Sequence, residues 1–276
     1  MNAYYALTKS RQKYSYEDNT KKEIKEYEVG LEDLAGKSDK KSKYYSLFIE
    51  DYQSQCKDGD WKAAYKVFFN RYYNKENFDV LNYKELKVRS VSPIVIGHSM
   101  SVLETSLAVH RIYGVPYLPA TAIKGLVSHY CHKVFAKNEK TASLGYGGED
   151  YQILFGSTEK AGYIRFYDAL PTIDSVAEAL VQDVLTPHHQ EYNSFRSNSD
   201  KDVQCQAPRD DDSPVPIPFL TAKATFLITI TCEGEKSEAE EWLNLASLLI
   251  REALLNEGIG GKTNAGYGRL EELAEK

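Results

Sequence analysis

The sequence has few of the features that would place it in a membrane or a secretory pathway. No apolar run approaches the roughly 20 residues that a membrane-spanning helix needs. The longest apolar-rich stretch, from Pro218 to Cys232, is interrupted by Lys223 and several threonines. Residues 1–19 lack the apolar core of a signal peptide. We therefore expect a cytoplasmic protein that makes no membrane contact.

Cysteine is also scarce and widely spaced, so the sequence offers no C-x-x-C motif for zinc or redox chemistry. Thiols of a cytosolic protein stay reduced, which favours a purely structural use of these residues. We predict neither a metal site nor a cofactor. The four cysteines are Cys56, Cys131, Cys205 and Cys232.

The chain lacks the excess of basic residues that free-standing nucleic-acid-binding proteins usually carry. Its formal net charge is −6 over 276 residues. The charge is uneven, because residues 1–84 hold 16 Lys and Arg against 14 Asp and Glu, and the remainder holds 18 against 26. A local basic strip within a larger assembly therefore fits the composition better than autonomous binding.

Residues 1–84 differ in composition from the rest, with 12 of the 21 tyrosines and no proline. Four aromatic residues, Trp61, Tyr65, Phe68 and Tyr72, follow a 3.6-residue period and predict one face of a helix. Either Asp58 or Asp60 is suited to cap its start. We interpret 1–84 as an N-terminal helical, Tyr- and Lys-rich extension whose aromatic stripe packs on the main domain.

Residues 85–276 predict an α+β domain. The predicted elements follow the order β-α-β-β-α-β, which is that of a ferredoxin-like, RRM-like fold with two helices covering an antiparallel sheet. Thr121 is predicted to cap the first helix, and a capping box over Ser237–Glu240 the second. Residues 190–216 are polar and predict a mobile insertion. The predicted strands cover 86–97, 162–170, 219–232 and the residues from 267, and the predicted helices cover 121–137 and 237–256.

A glycine-rich segment between the last helix and the last strand carries the most information. Its exposed N–H groups and nearby cations suit phosphate oxygens. A Walker A loop is excluded because Asn256 stands where a glycine is required, and a G-x-G-x-x-G fingerprint is excluded by Thr263. The glycines are Gly258, Gly260, Gly261, Gly266 and Gly268, and the polar residues among or beside them are Lys262, Thr263, Asn264 and Arg269.

This segment resembles the C-terminal signature of the RAMP superfamily of CRISPR proteins. Residues 113–125, ending in Lys124-Gly125, are similar to the family's proline-containing approach to a helix, and residues 154–168 to its Phe-Gly turn and Asp-ended strand. Residues 183–189 narrow the resemblance to the sixth subunits of Cmr-type (type III-B) effectors. Together the matching segments lie within about residues 86–273.

The resemblance implies a non-catalytic subunit that binds the 3′ region of the CRISPR RNA and caps the backbone of an RNA-guided antiviral complex. The expected partners are the guide RNA, the other RAMP and small subunits of the Cmr complex and, indirectly, the target RNA. Tyr267 and His98 are candidates for base stacking. The predicted RNA-binding residues are Arg89, His98, Lys124, Gly258, Gly260, Gly261, Lys262, Thr263, Asn264, Gly266, Tyr267 and Arg269.

Two alternatives remain open at this point. His98 follows the first predicted strand, where some repeat-processing RAMP nucleases keep a general acid or base, so the chain could be a metal-independent endoribonuclease. The net charge of −6 instead favours a protein–protein cap with little RNA contact.

Overall fold

The computed structural model describes residues 40–74, 76, 82–97, 107–139, 141–186, 214 and 216–274, together with the backbone of 12–18, 23–29 and 38–39. No described helix is both long and apolar enough to cross a membrane. The helices are α1 (Ser38–Lys57), α2 (Gly59–Tyr72), α3 (Ala120–Phe135), α4 (Glu149–Phe155) and α5 (Lys236–Asn256). The strands are β1 (Gln12–Asp18), β2 (Glu23–Val29), β3 (Tyr83–Ser90), β4 (Ile164–Phe166), β5 (Leu170–Pro171), β6 (Leu180–Leu185), β7 (Ile217–Ala222), β8 (Thr225–Cys232) and β9 (Leu270–Glu272).

The central sheet is antiparallel and has the strand order β4-β8-β3-β9, with the short β5 also pairing β8. Because side chains alternate along a strand, Leu86 and Val88 share one face with Phe226 and Ile228, which lie opposite them in the register. These residues form the main core with the apolar sides of α3 and α5. The predicted α+β class is therefore confirmed.

All four predicted strands have the wrong bounds. The one expected over 162–170 is two short strands, β4 and β5, and the one expected from 267 begins at Leu270. The one expected over 86–97 begins at Tyr83 and ends at Ser90. The one expected over 219–232 is two strands, because β7 pairs with β6 as far as Ala222 and the chain enters the central sheet only with β8, at Thr225. The Ser90 hydroxyl stabilises this corner by donating to the Ala224 carbonyl at 2.9 Å and accepting from its N–H at 3.2 Å.

Residues 1–84 contain the helices α1 and α2, but they are not helical throughout. Before α1, β1 and β2 form an antiparallel hairpin in which Gln12 pairs with Val29 and Asp18 with Glu23. Tyr14 and Tyr16 in β1, and Tyr27 and Val29 in β2, are each separated by one polar residue, and that two-residue spacing favours strands.

The aromatic stripe of α2 packs on the main domain, as predicted. The Asp58 carboxylate accepts the backbone N–H groups of Asp60 and Trp61 and so caps the helix. Tyr65 is fully buried and its hydroxyl donates to the Pro171 carbonyl at 2.7 Å. The Tyr73 hydroxyl donates to the Leu227 carbonyl at 2.8 Å. Side chains of α2 are therefore used for packing rather than for base stacking.

Both of the other predicted helix caps are wrong. Helix α3 begins at Ala120, whose N–H donates to the Asp168 carboxylate at 2.7 Å, so a distant strand end supplies the cap instead of Thr121. Helix α5 begins at Lys236, before the predicted capping box, and Glu235 makes no side-chain cap bond.

Candidate functional site

The glycine loop, defined as residues 257–269, connects α5 to β9 and is held against the chain that follows β3. The N–H of Gly261 donates to the Val95 carbonyl at 2.7 Å, and that of Gly268 to the Pro93 carbonyl at 2.8 Å. The loop also closes on itself, since the N–H of Ile259 donates to the Gly268 carbonyl at 2.8 Å. These bonds fix the loop to the edge of the sheet where β3 ends.

Part of the glycine pattern is required by this packing. Gly260 has a φ of +91°, and a Cβ there would lie 2.2 Å from the Val95 carbonyl oxygen. Gly268 has a φ of +78°, and a Cβ there would lie 2.1 Å from the Ile259 carbonyl oxygen. Only glycine permits such close approach of two backbones in the left-handed region. The motif therefore encodes the shape of the loop as well as any ligand contact.

The apex of the loop is exposed and carries several backbone donors that have no acceptor among the described residues. Lys262 has φ 61° and ψ 25°, and a 3₁₀ turn over Thr263–Ala265 follows it. Among the described residues, no partner receives the N–H groups of Gly260, Lys262, Thr263 and Asn264, and the Lys262 ammonium contacts no carboxylate. Successive N–H groups in a left-handed and then right-handed backbone form a concavity that suits an anion.

Tyr267 anchors the loop to the β6–β7 hairpin. Its hydroxyl donates to the Asp183 carboxylate at 2.8 Å, and its ring centroid lies 6.0 Å from that of Phe219. Burial, followed by the hydrogen bond and charge of Asp183, raises the pKa of Tyr267 to about 12. Because the hydroxyl is hydrogen-bonded and the ring contacts Phe219, the structure gives Tyr267 a positioning role that the sequence did not predict.

Both predicted arginines are engaged within the protein. The guanidinium of Arg269 donates to the carbonyls of Leu255, at 2.6 Å, and of Asn256, and so caps the C-terminus of α5. Arg89 forms an ion pair with Glu271 on the neighbouring strand, with both side chains about half exposed. A cation at a helix C-terminus is favourable in itself. The cap alone therefore explains why an arginine stands at position 269, without any contact to RNA.

Lys124 lies apart from the glycine loop. It is on α3 and lines a groove at the outer side of β4, whereas the loop contacts the residues after β3 and leads into β9. In the strand order, β4 and β9 are the two opposite edges of the central sheet. The structure therefore does not bring Lys124 and Lys262 into one cluster.

His98 and the segment 187–213 lie outside the described residues, as do His188 and His189. Of the remaining histidines, His110 holds a turn, because its Nδ1 accepts the N–H groups of Ile112 and Tyr113, each at 3.3 Å. Burial lowers its pKa. Within the described part of the chain, no group of three or more His, Cys, Asp or Glu residues could hold a metal ion.

Sequence reasoning missed three positioning residues. Ser92 accepts the Arg269 N–H at 3.0 Å, while Asp183 holds Tyr267 and Asp168 caps α3. Asp168 and Asp183 belong to the segments that resemble the family, and this resemblance was the only sequence feature that could have indicated their importance. Ser92 gave none, because a serine beside a proline is ordinary turn chemistry.

Comparison with known proteins identifies similar sequences and folds. The model of the RAMP superfamily matches residues 87–271, about two thirds of the chain. The CRISPR system Cmr subunit Cmr6 of Pyrococcus furiosus is 30% identical over 263 residues, covering 76% of this chain and 74% of the relative. The CRISPR system CMR subunit Cmr6 of Saccharolobus solfataricus is 25% identical over 191 residues, covering 68% of this chain and 56% of the relative.

Among solved structures, a chain in the cryo-EM structure of the Type III-B Cmr-beta bound to cognate target RNA has a similar fold. The TM-score is 0.53 at 24% identity, and the match covers 76% of this chain. It covers 65% of the solved chain, slightly less than two thirds of its length. At this identity the likeness supports the fold only.

Proposed function

The chain belongs to the RAMP superfamily, and from that membership and the glycine loop we propose that it is a non-catalytic, RNA-binding subunit of a type III-B CRISPR effector complex. It holds the 3′ region of the guide RNA and caps the backbone of the complex. The Cmr6 relatives, named as subunits of a Cmr system, support the assignment to an effector. The single observation that carries the RNA-binding role is the exposed apex of the loop, with Lys262 and the N–H groups that have no acceptor among the described residues.

The finer fold assignment is part of the same proposal. Two β-α-β halves that share one antiparallel sheet would give the order β4-β8-β3-β9 with α3 and α5 on one face, as observed. This order supports a ferredoxin-like RAMP domain. The boundary at residue 84 remains a prediction.

The proposed RNA clamp is smaller than the predicted residue set. Phosphate oxygens would accept from the N–H groups of Lys262, Thr263 and Asn264 and pair with the Lys262 ammonium. Gly258, Gly260, Gly261, Gly266 and Gly268 would shape the loop around these donors, and Arg269 and Tyr267 would hold it in place. Such contacts fix the position of the RNA and carry no base code.

The test compares two charge reversals at the two ends of α5. Lys262→Glu alters the apex, whereas Lys236→Glu makes the same charge change at the first residue of the helix. A helix of 21 residues is about 30 Å long, so Lys236 lies far from the loop. Binding of each purified variant to a 3′-tailed single-stranded guide RNA is measured over a range of salt concentrations.

We expect Lys262→Glu to weaken binding by about tenfold or more and to flatten the salt dependence, because a phosphate contact is lost and a repulsion is gained. Lys236→Glu should bind as the wild type does. Equal affinity of all three proteins would overturn the loop as the RNA site and favour the protein–protein cap. Cleavage of the RNA in EDTA by the wild type would instead support the endoribonuclease alternative.

A further inference from the structure

Helix α5 carries apolar side chains on the side that faces away from the core. Its other side is buried in the main core, and Leu243, Ile250 and Leu254 lie on it. Leu248 and Leu255 lie on the outer side and are 50% and 48% exposed. A helix at the surface of a domain normally has polar residues there. Packing within the chain therefore accounts for only one of the two apolar sides of α5.

The exposed leucines are spaced as in a helix that packs against another helix. Leu248 follows the partly buried Leu245 by three residues, and Leu255 follows Leu248 by seven. Glu252 occupies the position between them, so the steps are three, four and three residues, as between the core positions of paired helices. We call these four positions, residues 245, 248, 252 and 255, the outer seam. The outer seam extends over about 15 Å, or nearly three turns of helix.

Carboxylates predominate around the outer seam. The exposed positions of α5 hold four glutamates against one lysine, Lys236, which gives a formal charge of −3. Arg251 is ion-paired with Glu272 at 2.6 Å, and Lys84 of β3 donates to the side-chain oxygen of Asn244. The four glutamates are Glu238, Glu240, Glu241 and Glu252. Because nucleic acids bind through contacts between cations and phosphates, this charge disfavours RNA and favours a basic protein surface.

We propose that the outer seam binds a helix of a partner protein whose own apolar stripe is flanked by lysine or arginine. Such a helix lays its apolar side chains on the three leucines of the seam. Its cations pair with Glu252, which is exposed within the seam, and with Glu241, about one turn before Leu245. Charges beside an apolar seam select the partner and its orientation. The inference rests on the proposed function, because it takes the chain to be a subunit with protein neighbours.

Two synthetic helical peptides test this chemistry on the isolated full-length protein. Each has about 20 residues, long enough to form a helix, with leucine along one stripe. The residues that flank the stripe are lysine in one peptide and glutamate in the other. The lysine peptide should bind the wild type at least about tenfold more tightly than the glutamate peptide, and rising salt should reduce that preference, as fluorescence anisotropy would show.

Loss of the exposed leucines tests whether the seam is the place of binding. The double variant Leu248→Gln/Leu255→Gln should bind the lysine peptide about tenfold more weakly than the wild type. The matched control is Val67→Gln/Ile112→Gln, which alters two apolar residues on other elements that are 68% and 73% exposed. This control should bind as the wild type does. Thermal unfolding of both double variants checks that they remain folded.

A photo-crosslinking residue at position 248 identifies the occupant in the purified assembly. It should attach to a protein segment in which apolar residues recur every three to four positions between lysines or arginines, whereas the same residue at position 67 should not attach to that segment. A crosslink from position 248 to RNA, or none at all, would overturn the proposal.

The outcomes separate this inference from the proposed function. If both peptides bind equally, or if the Leu248→Gln/Leu255→Gln variant binds the lysine peptide as the wild type does, the outer seam is not a helix-binding site. The RNA measurements on Lys262→Glu are independent of that result, so the proposed function then stands. If the seam selects the lysine peptide but the protein binds no guide RNA and enters no assembly, the proposed function fails and the helix-binding seam remains.

Discussion

Replacing Lys262 by glycine and by alanine separates the charge of this residue from the strain of its backbone. Lys262 is the only non-glycine residue with a positive φ in the described part of the chain. Both replacements remove the same ammonium group from the loop apex. Only glycine, however, occupies the left-handed region without a steric cost.

The expected change in stability follows from that geometry. A left-handed backbone costs an L-residue about 1 to 2 kcal/mol. Glycine loses about 0.5 to 1 kcal/mol more than alanine through chain entropy on folding. The glycine variant should therefore be more stable than the alanine variant by about 1 kcal/mol, which chemical denaturation resolves. The alanine variant should lie within about 0.5 kcal/mol of the wild type, because the lysine side chain is exposed.

The expected change in RNA affinity is the same for both variants. Loss of one phosphate contact reduces the slope of log affinity against log salt by about 0.7 for a single strand, which is about fivefold in affinity at 0.1 M salt. Fluorescence anisotropy with a labelled guide RNA at several salt concentrations measures both quantities. A glycine variant with wild-type affinity and slope would refute the role of the charge, and two variants of equal stability would refute the argument from strain.

Three further perturbations test the structure of the loop. Gly268→Ala should destabilise the protein by about 3 kcal/mol or more, because the new Cβ would meet the Ile259 carbonyl. Gly266→Ala is the control, since a Cβ there would have no atom within 4 Å, and it should cost only about 1 kcal/mol. Thermal or urea unfolding measures both. Arg269→Ala should lower the free energy of unfolding by about 1 kcal/mol through loss of the α5 cap and leave the salt slope of RNA binding unchanged; a flatter slope would restore Arg269 as a phosphate ligand. The pKa of Tyr267 is raised to about 12 in the folded protein. The stability that the neutral phenol contributes should therefore be complete below about pH 10 and be lost as the pH rises toward 12. Ultraviolet titration should give a lower phenol pKa for Asp183→Asn than for the wild type, because the hydrogen bond and the charge of Asp183 are removed.

The sequence predicts those parts of the fold in which local pattern and tertiary packing agree. The stripe from Trp61 to Tyr72 is periodic because one side of α2 is buried, and the alternation along Phe226 to Ile230 reflects the single apolar face of the central sheet. The break at Lys223 could not be predicted. The β-branched and aromatic run continues across it, and the corner depends on Ser90, which lies more than 130 residues earlier in the chain.

The same distinction applies to the glycine loop. Its glycines and Lys262 are recognisable because positive φ and close backbone approach restrict the residue type. The functions of Arg269 and Tyr267 are not recognisable in this way. An arginine that caps a helix and one that binds phosphate have the same sequence environment, and the partner of Tyr267 is Asp183, 84 residues away.

Lys262 and Lys124 belong to different places in the fold, at opposite edges of one sheet. The glycine loop borders β3 and β9, whereas the groove borders β4, three strand spacings away from β9 in the order β4-β8-β3-β9. At about 4.8 Å per spacing, the two outer strands are about 14 Å apart. Charges this far apart at a solvated surface are largely screened at physiological salt, and substitutions without shared partners usually act additively. Substitutions at the two places can therefore be tested one at a time: a change at Lys262 should leave the groove beside β4 unaltered, and a change at Lys124 should leave the glycine loop unaltered.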